Sequence, residues 1–140
     1  TAAGKNVAPA VLEDRLRGHP LVSQCVVVGD NRPFVGALIT LDQDMVPGWL
    51  AGHGKSALTH AQALIDPDIR ASLSRAIDRA NQAVSRAESI RDFRLLNTDF
   101  TEQNGYLTPS MKVKRTLVLK DFAGEVDALY AEAAARRASG

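Results

Sequence analysis

Cysteine, aromatic side chains and an excess of either charge are all scarce in this 140-residue chain. Cys25 is the only cysteine, which excludes an internal disulfide framework and a zinc site built from several cysteines. Aromatic residues make up 5% of the chain, so the core is predicted to be mostly aliphatic. Lysine and arginine total 17 against 16 aspartate and glutamate residues. This near balance excludes the bulk positive field that drives non-specific nucleic-acid binding.

Long apolar runs are missing as well. No stretch approaches 18 consecutive apolar residues, and no charged segment followed by an apolar one opens the chain, so neither a membrane span nor a secretory signal is indicated. We expect a cytoplasmic protein, with a peripheral membrane contact left open for a larger enzyme. Because the chain begins at Thr1 without a methionine, we also expect a domain of a longer protein.

Hydrophobic periodicity predicts helices and strands in the order αββααβα. The length suits one domain over residues 1–140. We predict an α+β fold with a small, mainly antiparallel sheet of about three strands flanked by helices. Helical spacing and β-branched runs place helices at 9–17, 45–50 and 67–87, strands at 21–28, 34–41 and 93–96, a polar loop at 99–113, and two short helices or one broken helix from residue 114 onward.

Several residues that suggest chemistry have simpler explanations. The tripeptide at residues 54–56, Gly-Lys-Ser, lacks the earlier glycine of a phosphate-binding P-loop, because Trp49 stands at that position. His53 and His60 lie seven residues apart with no third ligand nearby, so we predict no metal site. Cys25 lies within an apolar strand, which indicates a buried, inert thiol.

A basic cluster within the polar loop is more informative. Three cations, Lys112, Lys114 and Arg115, occur within four residues behind Pro109. A loop can bring such cations to a phosphate or a carboxylate without burying them permanently. Spacing alone favours a solvated basic face.

Three separated motifs carry a resemblance to a known family. In order they are GKNVAP, HPLVSQCVVVGDNRPFVGALITL and NGYLTPSMKVKR. Together they resemble the C-terminal domain of adenylate-forming acyl-CoA synthetases, specifically of long-chain fatty-acid–CoA ligases. The resemblance covers nearly the whole chain. Met111 stands where the Ser-Gly-Lys version of the third motif has glycine, which favours the long-chain branch.

The resemblance implies an enzyme that activates a fatty acid with ATP to acyl-AMP and then transfers the acyl group to CoA. ATP and Mg²⁺ would be held mostly by a larger N-terminal domain, which this chain lacks. The small domain would be mobile and would present different faces to the two half-reactions. We therefore expect the isolated domain to be inactive, with its N-terminal adenylation domain as its partner.

Site residues follow from the resemblance position by position. Lys112 matches the catalytic lysine of adenylate formation. Gly4, Lys5 and Asn6 match the loop that lines the CoA channel. Lys114 and Arg115 are candidate phosphate contacts or supports of the loop, and Glu13 is expected to be structural. No protein-held metal is expected in this domain.

Two other functions stay open. One is the corresponding domain of a fatty acyl-AMP ligase that delivers its acyl group to a carrier-protein thiol. The other is a free-standing domain that binds a partner without catalysis. The acceptor of the acyl group separates the first from a CoA ligase, and the sequence encoded upstream tests the second.

Overall fold

The computed structural model describes residues 9–140 and confirms the predicted α+β class. Six α-helices and three strands are present in this part of the chain. In chain order they are α1 (Pro9–Leu16), β1 (Val22–Val28), β2 (Val35–Leu41), α2 (Val46–Gly52), α3 (His60–Ile65), α4 (Pro67–Asn81), β3 (Ile90–Leu95), α5 (Arg115–Asp121) and α6 (Ala123–Ser139). No helix among these residues is both long enough and apolar enough to cross a membrane.

The sheet is mixed, so the prediction of a mainly antiparallel sheet is wrong. β1 and β2 form an antiparallel hairpin, with Cys25 opposite Ile39, whereas β2 and β3 are parallel, with Ala37 opposite Phe93. The reason is the connection between β2 and β3, which contains α2, α3 and α4. A long helical crossover returns the chain to the same end of the sheet and makes the next strand parallel.

Helices cover both faces of the sheet. All seven residues of β2 are buried. Its Val35, Ala37, Ile39 and Leu41 belong to the core under α1 and α4, and Leu38 belongs to the core under α5 and α6. The period of two along a strand explains this division, because successive side chains point to opposite faces.

The helical region between β2 and β3 is more divided than its sequence suggests. The predicted helix at 67–87 ends at Asn81 and is followed by a 3₁₀ turn at Arg86–Glu88. The additional helix α3 begins with a capping box, in which the Thr59 hydroxyl accepts from the Gln62 amide. At the start of α4, the Asp66 carboxylate caps the helix by accepting from the Ile69 amide.

Lys55 shows why the Gly-Lys-Ser tripeptide is not a phosphate loop. Its ammonium group lies 2.9 Å from the Asp66 carboxylate and also pairs with Asp68 at 2.5 Å. These two carboxylates hold the pKa of Lys55 above its ordinary value. The lysine therefore closes the loop onto the start of α4.

Gly36 allows α6 to approach the centre of the sheet. A Cβ atom added there would lie 3.0 Å from Leu129 Cδ2 and 3.3 Å from Leu129 Cδ1. Leu129 is itself buried at 2% exposure, so it has little room to move. Glycine at this position thus sets the distance between β2 and α6.

We expect Gly36→Val to lower the free energy of unfolding by about 1–3 kcal/mol, because the added methyl groups overpack the core against Leu129. Denaturant unfolding of the chain would measure this loss. Gly48→Ala is the matched control, since Gly48 lies in α2 with nothing within 4 Å of an added Cβ. Equal stability of Gly36→Val and the parent chain would contradict the close approach.

Candidate functional site

Lys112 lies at the end of a tight β-hairpin within the predicted polar loop. Leu107 and Val113 form an antiparallel bridge, and the Thr108 amide donates to the Lys112 carbonyl at 2.8 Å. The Lys112 amide donates in turn to the Thr108 hydroxyl at 3.1 Å. Pro109 and Ser110 make the turn. The lysine backbone is therefore fixed, and its exposed side chain projects from a defined position.

Met111 has a left-handed backbone conformation, with φ at 66°. For a side chain other than glycine or asparagine this conformation costs roughly 1–2 kcal/mol. The hydrogen bond from the Met111 amide to the Thr108 carbonyl, 2.8 Å long, holds it in place. Glycine in the Ser-Gly-Lys version of the motif would adopt the same conformation without this cost. Backbone strain is thus located directly before Lys112.

The Lys112 ammonium group has no ionic partner within residues 9–140. It lines a cleft of about 460 Å³ between the hairpin, α1 and β1, together with Ala10, Gln24 and Met111. An unpaired cation at the rim of a cleft is available to a carboxylate or phosphate oxygen. Lys114 is exposed and likewise forms no ion pair with any described residue.

Arg115 fastens the end of the hairpin to α1 and β1. Its guanidinium donates to the Glu13 carboxylate at 2.8 Å and to the Val27 carbonyl. The same Glu13 oxygen accepts from the Val27 amide at 2.8 Å. Glu13 is the more enclosed partner, with 14% of its side chain exposed against 37% for Arg115. Glu13 therefore has a structural role, as the sequence indicated, and the Arg115 guanidinium is engaged within the domain.

Asp99 fastens the start of the loop to the sheet. Its carboxylate accepts from the Ser23 hydroxyl at 2.6 Å and from the buried Thr40 hydroxyl at 2.7 Å. Its backbone carbonyl accepts from the Asn104 side chain at 2.8 Å. The two ends of the loop are therefore held independently. Sequence reasoning missed Asp99, whose only signal is an acidic residue close behind a strand.

The remaining sequence-based candidates lie apart from this cleft or outside the described residues. Gly4, Lys5 and Asn6, predicted to line the CoA channel, lie outside them, although α1 begins soon afterwards at Pro9. His53 stacks on Trp49, and the His60 ring nitrogen lies 2.8 Å from the Asn97 carbonyl. Within the described part of the chain, no three His, Cys, Asp or Glu side chains form a group that could hold a metal ion.

Cys25 is among the residues that line the Lys112 cleft but is 1% exposed. Burial, together with the nearby Glu13 carboxylate, raises the pKa of its thiol from the ordinary 9.0 to about 12. The thiol also contacts the Glu13 carbonyl at 3.5 Å. A nucleophilic cysteine requires the opposite environment, one that stabilises the thiolate.

Known proteins resemble this chain in sequence over most of its length. The sequence profile of a family described as "AMP-binding enzyme C-terminal domain" matches residues 1–134. The long-chain-fatty-acid–CoA ligase FadD15 of Mycobacterium tuberculosis is 56% identical over 131 residues, which are 93% of this chain and 22% of that protein. The human long-chain-fatty-acid–CoA ligase ACSBG1 is 29% identical over 94% of this chain and 21% of its own length. The chain thus spans about a fifth of the length of these relatives.

A solved structure extends the likeness to the fold. The A-PCP didomain of carboxylic acid reductase from Segniliparus rugosus, in complex with AMP, has a TM-score of 0.70 and 26% sequence identity. The match covers 95% of this chain and 17% of that one. The mixed sheet and its two helical layers therefore recur in a larger AMP-binding protein.

Glu13 and Arg115 should be energetically coupled. We expect a double-mutant cycle of Glu13→Gln and Arg115→Met to give a coupling of about 1 kcal/mol in the free energy of unfolding, because the two side chains share the Val27 backbone. The exposed pair of Asp14 and Arg17 on α1 is the matched control, with an expected coupling below about 0.5 kcal/mol. Equal couplings would show that the Glu13 pair behaves as an ordinary surface ion pair.

Cys25 should resist alkylation in the folded protein. At mildly alkaline pH, the upward pKa shift from 9.0 to about 12 leaves about a thousandfold less thiolate than in the unfolded chain. Mass spectrometry after iodoacetamide treatment, with and without denaturant, would measure the difference. The free energy of unfolding should also fall between pH 9.0 and about 12, since only the unfolded thiol loses its proton there. Equal labelling rates in both states would contradict the burial.

Proposed function

The chain belongs to the family of AMP-binding enzyme C-terminal domains, and on that premise we propose that it is the small mobile domain of a long-chain fatty-acid–CoA ligase. The 56% identity to FadD15 over 93% of the chain supports this substrate class. The observation that carries the proposal is Lys112, an exposed cation at the end of a fixed hairpin that forms no ion pair within residues 9–140. It stands at the position of the family's adenylating lysine.

The complete reaction requires more protein than these residues provide. A preceding adenylation domain would bind ATP and the fatty acid, form acyl-AMP and release pyrophosphate. The acyl group would then pass to the CoA thiol. Mg²⁺ would accompany ATP on that larger domain. The small domain alone is inactive in this proposal, and the assembled enzyme is cytoplasmic.

Lys112 acts by electrostatics when the small domain closes over the nucleotide. Negative charge accumulates where the fatty-acid carboxylate approaches the α-phosphate of ATP. A cation about 4 Å away, at an effective dielectric constant near 20, stabilises that charge by roughly 4 kcal/mol. The absence of a carboxylate partner for Lys112 within residues 9–140 supports this role, because no internal ion pair must break before the lysine reaches its substrate.

The geometry of the hairpin supports precise positioning of the Lys112 ammonium group. Arg115 and Asp99 hold the two ends of the loop, and Thr108 holds the lysine backbone. Catalytic groups that are fixed before the reaction avoid the cost of reorganisation during it. We assign Arg115 this positioning role. Lys114, which has no described partner, is the stronger candidate for a phosphate contact.

In the second half-reaction the mobile domain would present a different face, and CoA would approach it there. Gly4, Lys5 and Asn6 are proposed to line its pantetheine channel. A glycine suits a channel wall, because the narrow thiol arm must pass close to the backbone where a Cβ would obstruct it.

A carrier-protein thiol is the second candidate acceptor. The likeness to the A-PCP didomain of carboxylic acid reductase supports this alternative. In that case adenylate formation and the role of Lys112 would be unchanged. Only the thiol that receives the acyl group would differ.

In the full-length enzyme, we expect Lys112→Ala to lower the rate of acyl-AMP formation from palmitate and ATP by about 10²- to 10³-fold. Thioester formation from supplied acyl-AMP should survive, because that step does not use the lysine. Lys120→Ala is the matched control, since Lys120 is an exposed lysine on α5 that forms no ion pair with any residue the structure describes.

Two other outcomes would contradict parts of the proposal. Survival of both half-reactions in Lys112→Ala would make Lys112 an ordinary surface charge. Transfer to a phosphopantetheinyl protein but not to CoA would replace the CoA ligase with the carrier-protein alternative.

A further inference from the structure

A second cleft lies between the C-terminal ends of α1 and α4. Its volume is about 320 Å³, and Arg15, His19 and Arg79 contribute to its walls. None of the residues that line it also lines the Lys112 cleft. The two helices pack on the face of the sheet opposite to α5 and α6. The cleft is therefore separate from the proposed catalytic hairpin.

Arginines gather at this cleft without acidic partners. Arg15 and Arg79 line it, and Arg75 lies one turn before Arg79 on α4. None of the three forms an ion pair with a residue in the range 9–140. Of the nine other arginines in the same range, five pair with carboxylates: Arg17, Arg32, Arg94, Arg115 and Arg136.

Helix polarity helps to keep these like charges together. Arg15 lies in the last turn of α1, and Arg79 lies in the last turn of α4. The partial negative charge at each helix C-terminus offsets part of the repulsion between them. The cations can therefore stay close together while their guanidinium donors remain available.

His19 forms a neutral wall of the cleft. The Leu21 amide donates to its Nδ1 at 3.0 Å, so Nε2 carries the proton and donates to the Ser72 hydroxyl at 2.7 Å. Burial lowers the pKa of His19, and the charges of Arg79 and Arg75 lower it further. Because both ring nitrogens are engaged, His19 is not a ligand. Its titration instead reports the charge of the cleft.

We propose that this cleft binds a phosphate group between the guanidinium groups of Arg15 and Arg79. The planar fork of an arginine matches two phosphate oxygens at once. The cleft, with a volume of about 320 Å³, has room for a phosphate with part of its hydration shell. Free phosphate or pyrophosphate and the headgroup of a phospholipid share this chemistry.

Titration of the chain with inorganic phosphate and with pyrophosphate, followed by amide NMR, tests the proposal. We expect saturable shifts confined to residues 15–19 and 79–80. Arg15→Gln and Arg79→Gln should each weaken binding about tenfold. Arg137→Gln, which removes the same charge from α6 on the opposite face, should leave binding unchanged. The amide spectrum of each variant also verifies its fold.

Two further readouts separate a bound anion from a structural effect. Bound phosphate should raise the pKa of His19, because it offsets the charges of the neighbouring arginines. Sedimentation with phosphatidylglycerol vesicles, compared with phosphatidylcholine vesicles, identifies the source. Binding to the anionic vesicles that Arg79→Gln abolishes assigns a lipid headgroup, whereas phosphate binding without vesicle binding assigns a free phosphate.

The proposal fails if neither free phosphate, pyrophosphate nor anionic vesicles bind. It also fails if Arg137→Gln weakens binding as much as Arg79→Gln does, because that result describes general surface charge. Neither failure bears on Lys112, whose role is tested by acyl-AMP formation.

Discussion

Complete burial of β2 is the constraint on which the rest of this domain depends. A strand whose seven residues are all buried needs a neighbour on each edge and a helical layer on each face. β1 and β3 supply the edges, and the two helical layers supply the faces. The Lys112 hairpin and the cleft lined by Arg15 and Arg79 lie at the margins of this assembly. Gly36 shows how close the packing is, since a single added carbon would meet Leu129.

The positions of the helices and strands could be predicted from local sequence patterns more completely than the direction of the strands in the sheet. β-branched runs and helical periodicity identified the strands and most helices, because each of those signals is contained within a few residues. Strand direction is different, since it depends on how the chain returns after β2. Helical periodicity between β2 and β3 is visible in the sequence, but a local pattern does not specify the direction in which β3 then runs. The capping box at Thr59 marks the start of α3, a helix hidden in a polar, glycine-containing stretch.

The residues of the candidate site show the same difference between local signals and long-range contacts. Lys112 could be found because it belongs to a contiguous motif with a family resemblance. Asp99 and the partners of Arg115 could not, because their contacts join segments far apart in the chain. Arg115 and Glu13 are separated by 102 positions, and Asp99 and Ser23 by 76. The ends of the loop are consequently held by hydrogen bonds to residues far away in the sequence, whereas the Lys112 cation has no partner in residues 9–140. The proposed role, in which the lysine contacts a substrate in one domain orientation and leaves it in another, needs both properties.

The contacts at Val27 have a consequence for association between molecules. β1 is an edge strand of the three-stranded sheet, and an unpaired edge offers backbone donors and acceptors to a strand of another molecule. Glu13 accepts from the Val27 amide and Arg115 donates to the Val27 carbonyl. The two side chains thus occupy the hydrogen-bonding positions that a fourth strand would use. The ion pair that secures the hairpin therefore also protects the outer edge of β1 against sheet extension and aggregation.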